Sequence, residues 1–546
     1  MSRIRIYITN PNTSHIEIEN TEWIISGSRP KVAANQINRN TSFNSIIDSI
    51  TALPGEYSVL QLDNSGRKTI NAHRGITSSF DWFYTEIEDK IIISDHFREA
   101  LLHLPVSERT VAESVDGDQL LLGTRPSSTY IQEVSRLDHG QTLSWDVNNE
   151  DEPNVQITES ISTNNCISPK KCKKRLNAYF NTVLDVDLYK KPATMLSGGV
   201  DSTLLQTYLQ SPPTISAAFD SPEFQFEVDY ALEASELLNS DHDVLRFEES
   251  EFLTAVEETT DATGHPLQHL QATLMRESVA NTPYQTYFNG QLADGIFGVR
   301  MSFAYRLAWL TRYFSPLVPN IDSKIKIIKE YTESLQKPVT HPDGIGMNFV
   351  IHADDEHVVD LLGEQLVNDR KYDRLKYVED RFFISNQAGY GPHMNLGHLI
   401  DFFQDNTVTP WRHAAHAHGK ALQTPFAGKE VLETVLAVPP GKRYAKRKES
   451  KYILKELLDK RLPKYNTSKK KGSSALPEKR YQEQGPLSNG FDKYSIPDFI
   501  PDEKHNDIRS MANHVSWYAF AYAVWRDRIL ENPNLDHYES TKIIER

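Results

Sequence analysis

The chain has 546 residues and a formal net charge of −15, from 59 basic and 74 acidic side chains. That length holds two to four domains with ample buried core, and the acidic balance argues against a general nucleic-acid or membrane-surface binder. The best apolar run, Trp517 to Trp525, is too short to cross a bilayer, and Met1-Ser2-Arg3-Ile4-Arg5-Ile6-Tyr7-Ile8 leads into polar residues, so a soluble cytoplasmic protein is expected. Cys166 and Cys172 are the only cysteines and have neither zinc-ligand nor disulfide-framework spacing.

Up to about residue 160 short β-like runs alternate with turn residues: Arg5–Thr9, Tyr57–Leu62, Lys90–Ser94, Tyr130–Val134 and Gln141–Trp145. Polar stretches at 148–154 and 162–165 read as loops and place a domain boundary near residue 165, giving a sheet-rich unit over 1–165 and a second unit over 166–546. Ser168-Pro169 reads as an N-cap followed by proline in the first helical position, opening a helix through about Leu188. A buried strand, Pro192 to Leu196, follows, then a glycine turn and a helix through Leu209. Strand character returns at Thr214–Phe219 and Asp243–Phe247, with a helix around Tyr230–Leu238 between them. That β-α-β-α-β order implies an α/β protein with a doubly wound parallel sheet. The segments 300–420 and 500–546 are rich in aromatics with helical patterning.

The glycine turn, Ser197-Gly198-Gly199-Val200-Asp201-Ser202, has the chemistry of a pyrophosphate cradle for ATP. Glycines let the backbone approach phosphate oxygens, hydroxyls and N–H groups donate to them, and the helix N-terminus adds partial positive charge. Asp201 can supply a carboxylate to the magnesium that accompanies ATP. Three histidines, His413, His416 and His418, invite a metal reading, yet spacings of three and two do not put all three on one helical face. A packed or exposed helical segment is the better reading.

The phosphate loop resembles that of the ATP pyrophosphatases. Asn289-Gly290-Gln291-Leu292-Ala293-Asp294-Gly295-Ile296-Phe297-Gly298 is similar to the second signature of the asparagine synthetase family. Lys451-Tyr452-Ile453-Leu454-Lys455-Glu456, Leu462-Pro463 and Lys469-Lys470-Lys471-Gly472 resemble its third element, with Pro425-Phe426, Ser516-Trp517 and Trp525 as further counterparts. Gly55-Glu56-Tyr57, His73-Arg74-Gly75-Ile76, Trp82-Phe83-Tyr84, Ile93-Ser94-Asp95 and Leu137-Asp138-His139-Gly140 resemble the family's glutaminase module in order. The resemblance implies a degenerate Ntn-hydrolase-like (class II glutamine amidotransferase-like) domain ahead of an ATP pyrophosphatase synthetase domain with helical additions. A glutaminase needs an N-terminal cysteine, and here residue 2 is Ser2. An asparagine synthetase body without that cysteine resembles the β-lactam and carbapenam synthetases and the lasso-peptide cyclases.

The resemblance implies a nucleotide site built from Leu196, Ser197, Gly198, Gly199, Asp201, Ser202, Asn289 and Gly290, with Asp201 and Asp294 holding Mg2+ and Lys471 stabilising negative charge. Two readings of Glu456 stay open, a partner to a catalytic group and a routine salt bridge on a helix face. Gln291 departs from the glutamate or tyrosine of the related branches: it can orient a substrate but cannot be a general base. The expected activity is ATP-dependent, AMP- and pyrophosphate-forming amide ligation between a small-molecule or peptide carboxylate and an amine, with a partner protein on the N-terminal domain and no nucleic acid or membrane involved. An ammonia-using amidotransferase and a catalytically silent nucleotide-binding subunit are the alternatives.

Overall fold

The computed structural model describes residues 4–38, 41–65, 68–88, 90–117, 119–120, 128–147, 152–161, 166–210, 212–220, 225–297, 355–370, 407–443, 445–446, 449–468, 477–532 and 534–546. Ser2, Lys471 and most of the helical patterning expected over 300–420 lie outside them.

Two sheets form the N-terminal half. The six-stranded one runs, in spatial order, Asn154–Ile157, Gln141–Asp146, Thr69–Arg74, Tyr57–Asp63, Thr21–Gly27 and Thr13–Ile18, antiparallel throughout. The five-stranded one places Ile4–Ile8 between Lys90–Ser94 and the distant strand Lys542–Glu545. Alternating apolar residues bury a common core from both sheets: Ile4, Ile6 and Ile93 from one, Leu60, Leu62, Ala72 and Leu143 from the other.

Tyr130–Val134, expected as a strand, is not one. Ile131 makes only an isolated bridge to Val111, and the strand starts later, at Ser135–Arg136. The cause is Thr129, whose hydroxyl accepts from the Ile131 N–H at 3.1 Å and donates to the carbonyls of Ile131 and Val134 at 2.7 and 2.8 Å, diverting the backbone groups a ladder would need.

Ser168 caps the next helix as expected, accepting from the Lys171 N–H at 3.2 Å, but the α-helix Pro169–Val183 stops before Leu188. Asp185 there caps a separate 3-10 turn, Val186–Leu188. Beyond it lies a five-stranded sheet in the order His242–Phe247, Thr214–Phe219, Pro192–Met195, Thr286–Phe288, Ala421–Gln423, every pair parallel. Adjacent residues Tyr287 and Phe288 point to opposite faces and enter two different cores, so both faces are covered, as a parallel sheet requires. The apolar run near the C-terminus becomes the helix His514–Trp525, buried on all sides. Its indoles are satisfied inside the protein, Trp525 donating to the Gly264 carbonyl at 2.8 Å and Trp517 to that of Gln268 at 3.3 Å. Among the described residues no helix is long and apolar enough to cross a membrane.

Candidate active site at the sheet reversal

From Pro192–Met195 the chain builds outward through two strands and then returns to the other side with Thr286–Phe288. Open α/β sheets bind ligands in the crevice outside the carboxyl ends of the strands at such a reversal. The two sequence motifs are the loops that leave those two strand ends.

Leu196, 1 % exposed, anchors the first loop by extending the ladder to the Ile215 carbonyl at 2.8 Å. Gly198 has φ +63°, and a Cβ there would stand 2.1 Å from the Tyr230 carbonyl carbon and oxygen. Only glycine permits both the left-handed backbone and that approach. Ser202 ties the loop together: its hydroxyl accepts from the Ser197 N–H at 3.2 Å and lies 3.1 Å from the Ser197 Oγ. The Tyr465 hydroxyl donates to the Gly198 carbonyl. Gly199 then caps the helix Val200–Leu209 without a side-chain hydrogen bond of its own.

The second loop rides directly on the first. A Cβ on Gly290 would lie 2.9 Å from the Asp201 Cβ and 3.0 Å from the Ser202 nitrogen, so a glycine is needed for close contact between motifs some ninety positions apart. Asn289 shapes the turn by accepting the Gln291 N–H at 3.0 Å, while its own N–H donates to the Gln423 carbonyl. Leu292 follows in the left-handed region at φ +72°, a strained conformation for a non-glycine residue, and the short helix Ala293–Phe297 carries Asp294.

Asp201 and Asp294 converge on a residue to which the sequence reading gave no role. The Lys451 ammonium lies 2.5 Å from Asp201 Oδ2 and 2.5 Å from Asp294 Oδ1. Lys451 is itself 8 % exposed, with φ +53°, at the start of the helix Tyr452–Arg461. Burial acts to lower its pKa, but the two carboxylates outweigh burial and hold it above the ordinary lysine value, so it is a cation. A signal was present: a lysine at a helix start opposes the helix dipole and needs a counter-charge from elsewhere.

The remaining expected residues are placed as follows. Glu456, on the same helix as Lys451, ion-pairs with Lys173 of Pro169–Val183, so its carboxylate makes a salt bridge between helices. Gln291 is half-buried in the second loop. His413 and His416 are buried in the helix Thr409–Ala417, with His418 as its C-cap. His413 stacks on His96 at 4.1 Å and His265 at 5.5 Å between ring centroids, and among the described residues no cluster of three or more His, Cys, Asp or Glu side chains could hold a metal.

Two oxygens that each lie 2.5 Å from one nitrogen are at most about 5 Å apart, close enough for small side-chain adjustments to let both bind one Mg2+. Protein sites usually give Mg2+ one or two carboxylates and leave the other positions to water and substrate phosphates, which this pair matches. The buried Nδ2 of Asn289, with no hydrogen-bond partner in the protein, adds a donor beside the glycine loops.

The asparagine synthase family model matches residues 190–494, more than half of the chain, from the first strand of the parallel sheet through both loops and Lys451. The chain belongs to the asparagine synthase family. With that membership comes the coarse chemistry of an ATP-dependent ligase. No curated protein matches the chain. Among solved structures it is similar to an NMN synthetase from Francisella tularensis, at 14 % identity and a TM-score of 0.20, over 44 % of this chain and 96 % of that one, a likeness too slight to bear on function.

Proposed function

We propose that this protein is a cytoplasmic amide ligase that adenylates a substrate carboxylate, releases pyrophosphate, and lets an amine displace AMP. Residues 166–546 form the synthetase unit in this reading. Residues 1–165 are a glutaminase-like scaffold without glutaminase activity that can receive a partner protein. The observation that carries the proposal is the meeting of Asp201, Asp294 and Lys451 beneath the Ser197–Ser202 loop at the sheet reversal.

The carboxylate oxygen attacks the α-phosphorus, the bond to the bridging oxygen breaks, and pyrophosphate leaves. Mg2+, when bound, neutralises charge on the phosphate oxygens. The loop N–H groups and the start of Val200–Leu209 bind the pyrophosphate, and Lys451 and Lys471 supply positive charge where the leaving group gains negative charge. In the second step the amine nitrogen attacks the acyl carbon, AMP departs with the bonding electrons, and the proton lost by the nitrogen passes to the departing AMP phosphate. Gln291 cannot take that proton and acts by orienting the substrate. The absence of a base at Gln291 favours a specialised or peptide substrate over asparagine synthesis and β-lactam closure.

The test is pyrophosphate release from MgATP with candidate carboxylates, comparing the natural protein with Asp201→Ala. Acid-dependent release that the substitution abolishes supports the reading. ATP binding without release for any acid and amine pair would favour a silent nucleotide-binding subunit.

A further inference from the structure

Lys451 and a magnesium ion require the same two carboxylate oxygens. Asp201 Oδ2 and Asp294 Oδ1 each lie 2.5 Å from the Lys451 Nζ, a distance at which no metal ion fits between them. From this geometry we infer that Lys451 is an exchangeable internal cation: it neutralises the aspartate pair in the nucleotide-free protein and yields the pair to the divalent cation that arrives with the triphosphate. The inference rests on the proposed nucleotide site and adds the order in which that site fills.

The structure gives the lysine both a fixed base and a route out. Its backbone is held at the head of Tyr452–Arg461, with the Lys455 N–H donating to its carbonyl at 3.0 Å, while four methylenes separate that anchor from the ammonium. The pair is closed on one side and open on the other, because the Asp201 side chain is 17 % exposed and that of Asp294 60 %. Two carboxylates this close repel each other strongly without a cation between them. A bare divalent ion must displace the ammonium and leave it buried without a counter-charge. An ion carrying a triphosphate brings new acceptors for the same ammonium, in the loop that Gly290 presses against Asp201. Metal without nucleotide is therefore excluded, and the paired carboxylates are kept for the metal–nucleotide complex.

The test is Mn2+ binding to the full chain without nucleotide, followed by electron paramagnetic resonance, for the natural protein, Lys451→Met and Lys451→Arg. Lys451→Met is expected to bind Mn2+ at least tenfold more tightly than the natural protein, Lys451→Arg no more tightly, and Asp294→Asn added to Lys451→Met should remove the gain. Equal Mn2+ affinity in the natural protein and Lys451→Met overturns the inference. Should Lys451→Met fail to fold, Lys451→Gln takes its place under the same criterion. A separate arm adds ATP to the natural protein: no Mn2+ binding there would sink the proposed nucleotide site, whatever the nucleotide-free comparison gives.

Discussion

Arg412 and Glu56 join the two halves of the molecule through a bidentate ion pair, Nη2 to Oε1 at 2.7 Å and Nη1 to Oε2 at 3.3 Å, with both side chains 1 % exposed. Ser79 completes the group, its N–H and hydroxyl donating to Glu56 Oε2 at 2.8 and 2.7 Å, and the guanidinium lies 3.7 Å over the Phe80 ring. A buried pair costs desolvation on both partners and adds little net stability, but removing one partner strands a charge. Glu56→Ala and Arg412→Ala should each cost about 3–5 kcal/mol. The double variant should cost much less than the sum, a difference that denaturant titration of the four proteins measures directly.

Gly198→Ala should abolish nucleotide binding out of proportion to its effect on stability. A methyl group 2.1 Å from the Tyr230 backbone forces the loop away from Gln225–Leu238, and φ +63° opposes it further. The expected result is at least a hundredfold weaker ATP affinity with a melting temperature lowered by only a few degrees, read by calorimetric ATP titration beside a thermal scan.

Glu159 should make stability depend on acid pH. Burial pushes its carboxyl pKa up, but His73 and Lys429 more than offset this and bring it from an ordinary value near 4.5 to about 2. Lys429 sits 2.7 Å from Oε1, and the Ile76 N–H donates to Oε2 at 2.8 Å. A depressed folded pKa gives stability that is present above the unfolded value and fades as pH falls from about 4.5 towards 2. Glu159→Gln should lose about 2–3 kcal/mol at pH 7 and converge on the natural protein near pH 2, in urea midpoints taken across that range.

The histidine stack should act in a higher window. Burial, then neighbouring positive groups, hold the pKa values of His96, His413 and His416 well below the ordinary histidine value. The folded rings therefore stay neutral while the unfolded ones gain protons below about pH 6.5, so stability falls as pH drops through 6.5 to 5. Facing the stack are His265, Arg412 and Asp81, the last 3.9 Å from His413 Nε2. His413→Phe keeps an aromatic ring and should flatten that slope; an unchanged slope would count against the buried-neutral account.

How much of this was legible in the sequence follows from how local each feature is. The Ser197–Ser202 loop, its flanking strand and helix, and the Ser168 cap are set by neighbouring residues, so their pattern survives in one dimension. The Thr129 turn misled because Tyr130–Val134 has strand composition and the decisive group is one hydroxyl outside it. The role of Lys451 is not local: its two partners, Asp201 and Asp294, lie far from it in sequence, and only the folded chain brings them to it. Glu56 and Arg412 are separated by 356 positions, and no local pattern in the sequence pairs them.

The strand Lys542–Glu545 closes the outer edge of Ile4–Ile8, with Ile4 and Arg546 exchanging both backbone hydrogen bonds at 3.0 Å. During synthesis the first strand emerges more than five hundred residues before its edge partner. At about 5–20 residues per second that interval is on the order of half a minute to two minutes, during which a row of unpaired N–H and carbonyl groups stays open to any passing strand. The edge of Ile4–Ile8 thus stays open to misassociation until Lys542–Glu545 emerges and pairs with it.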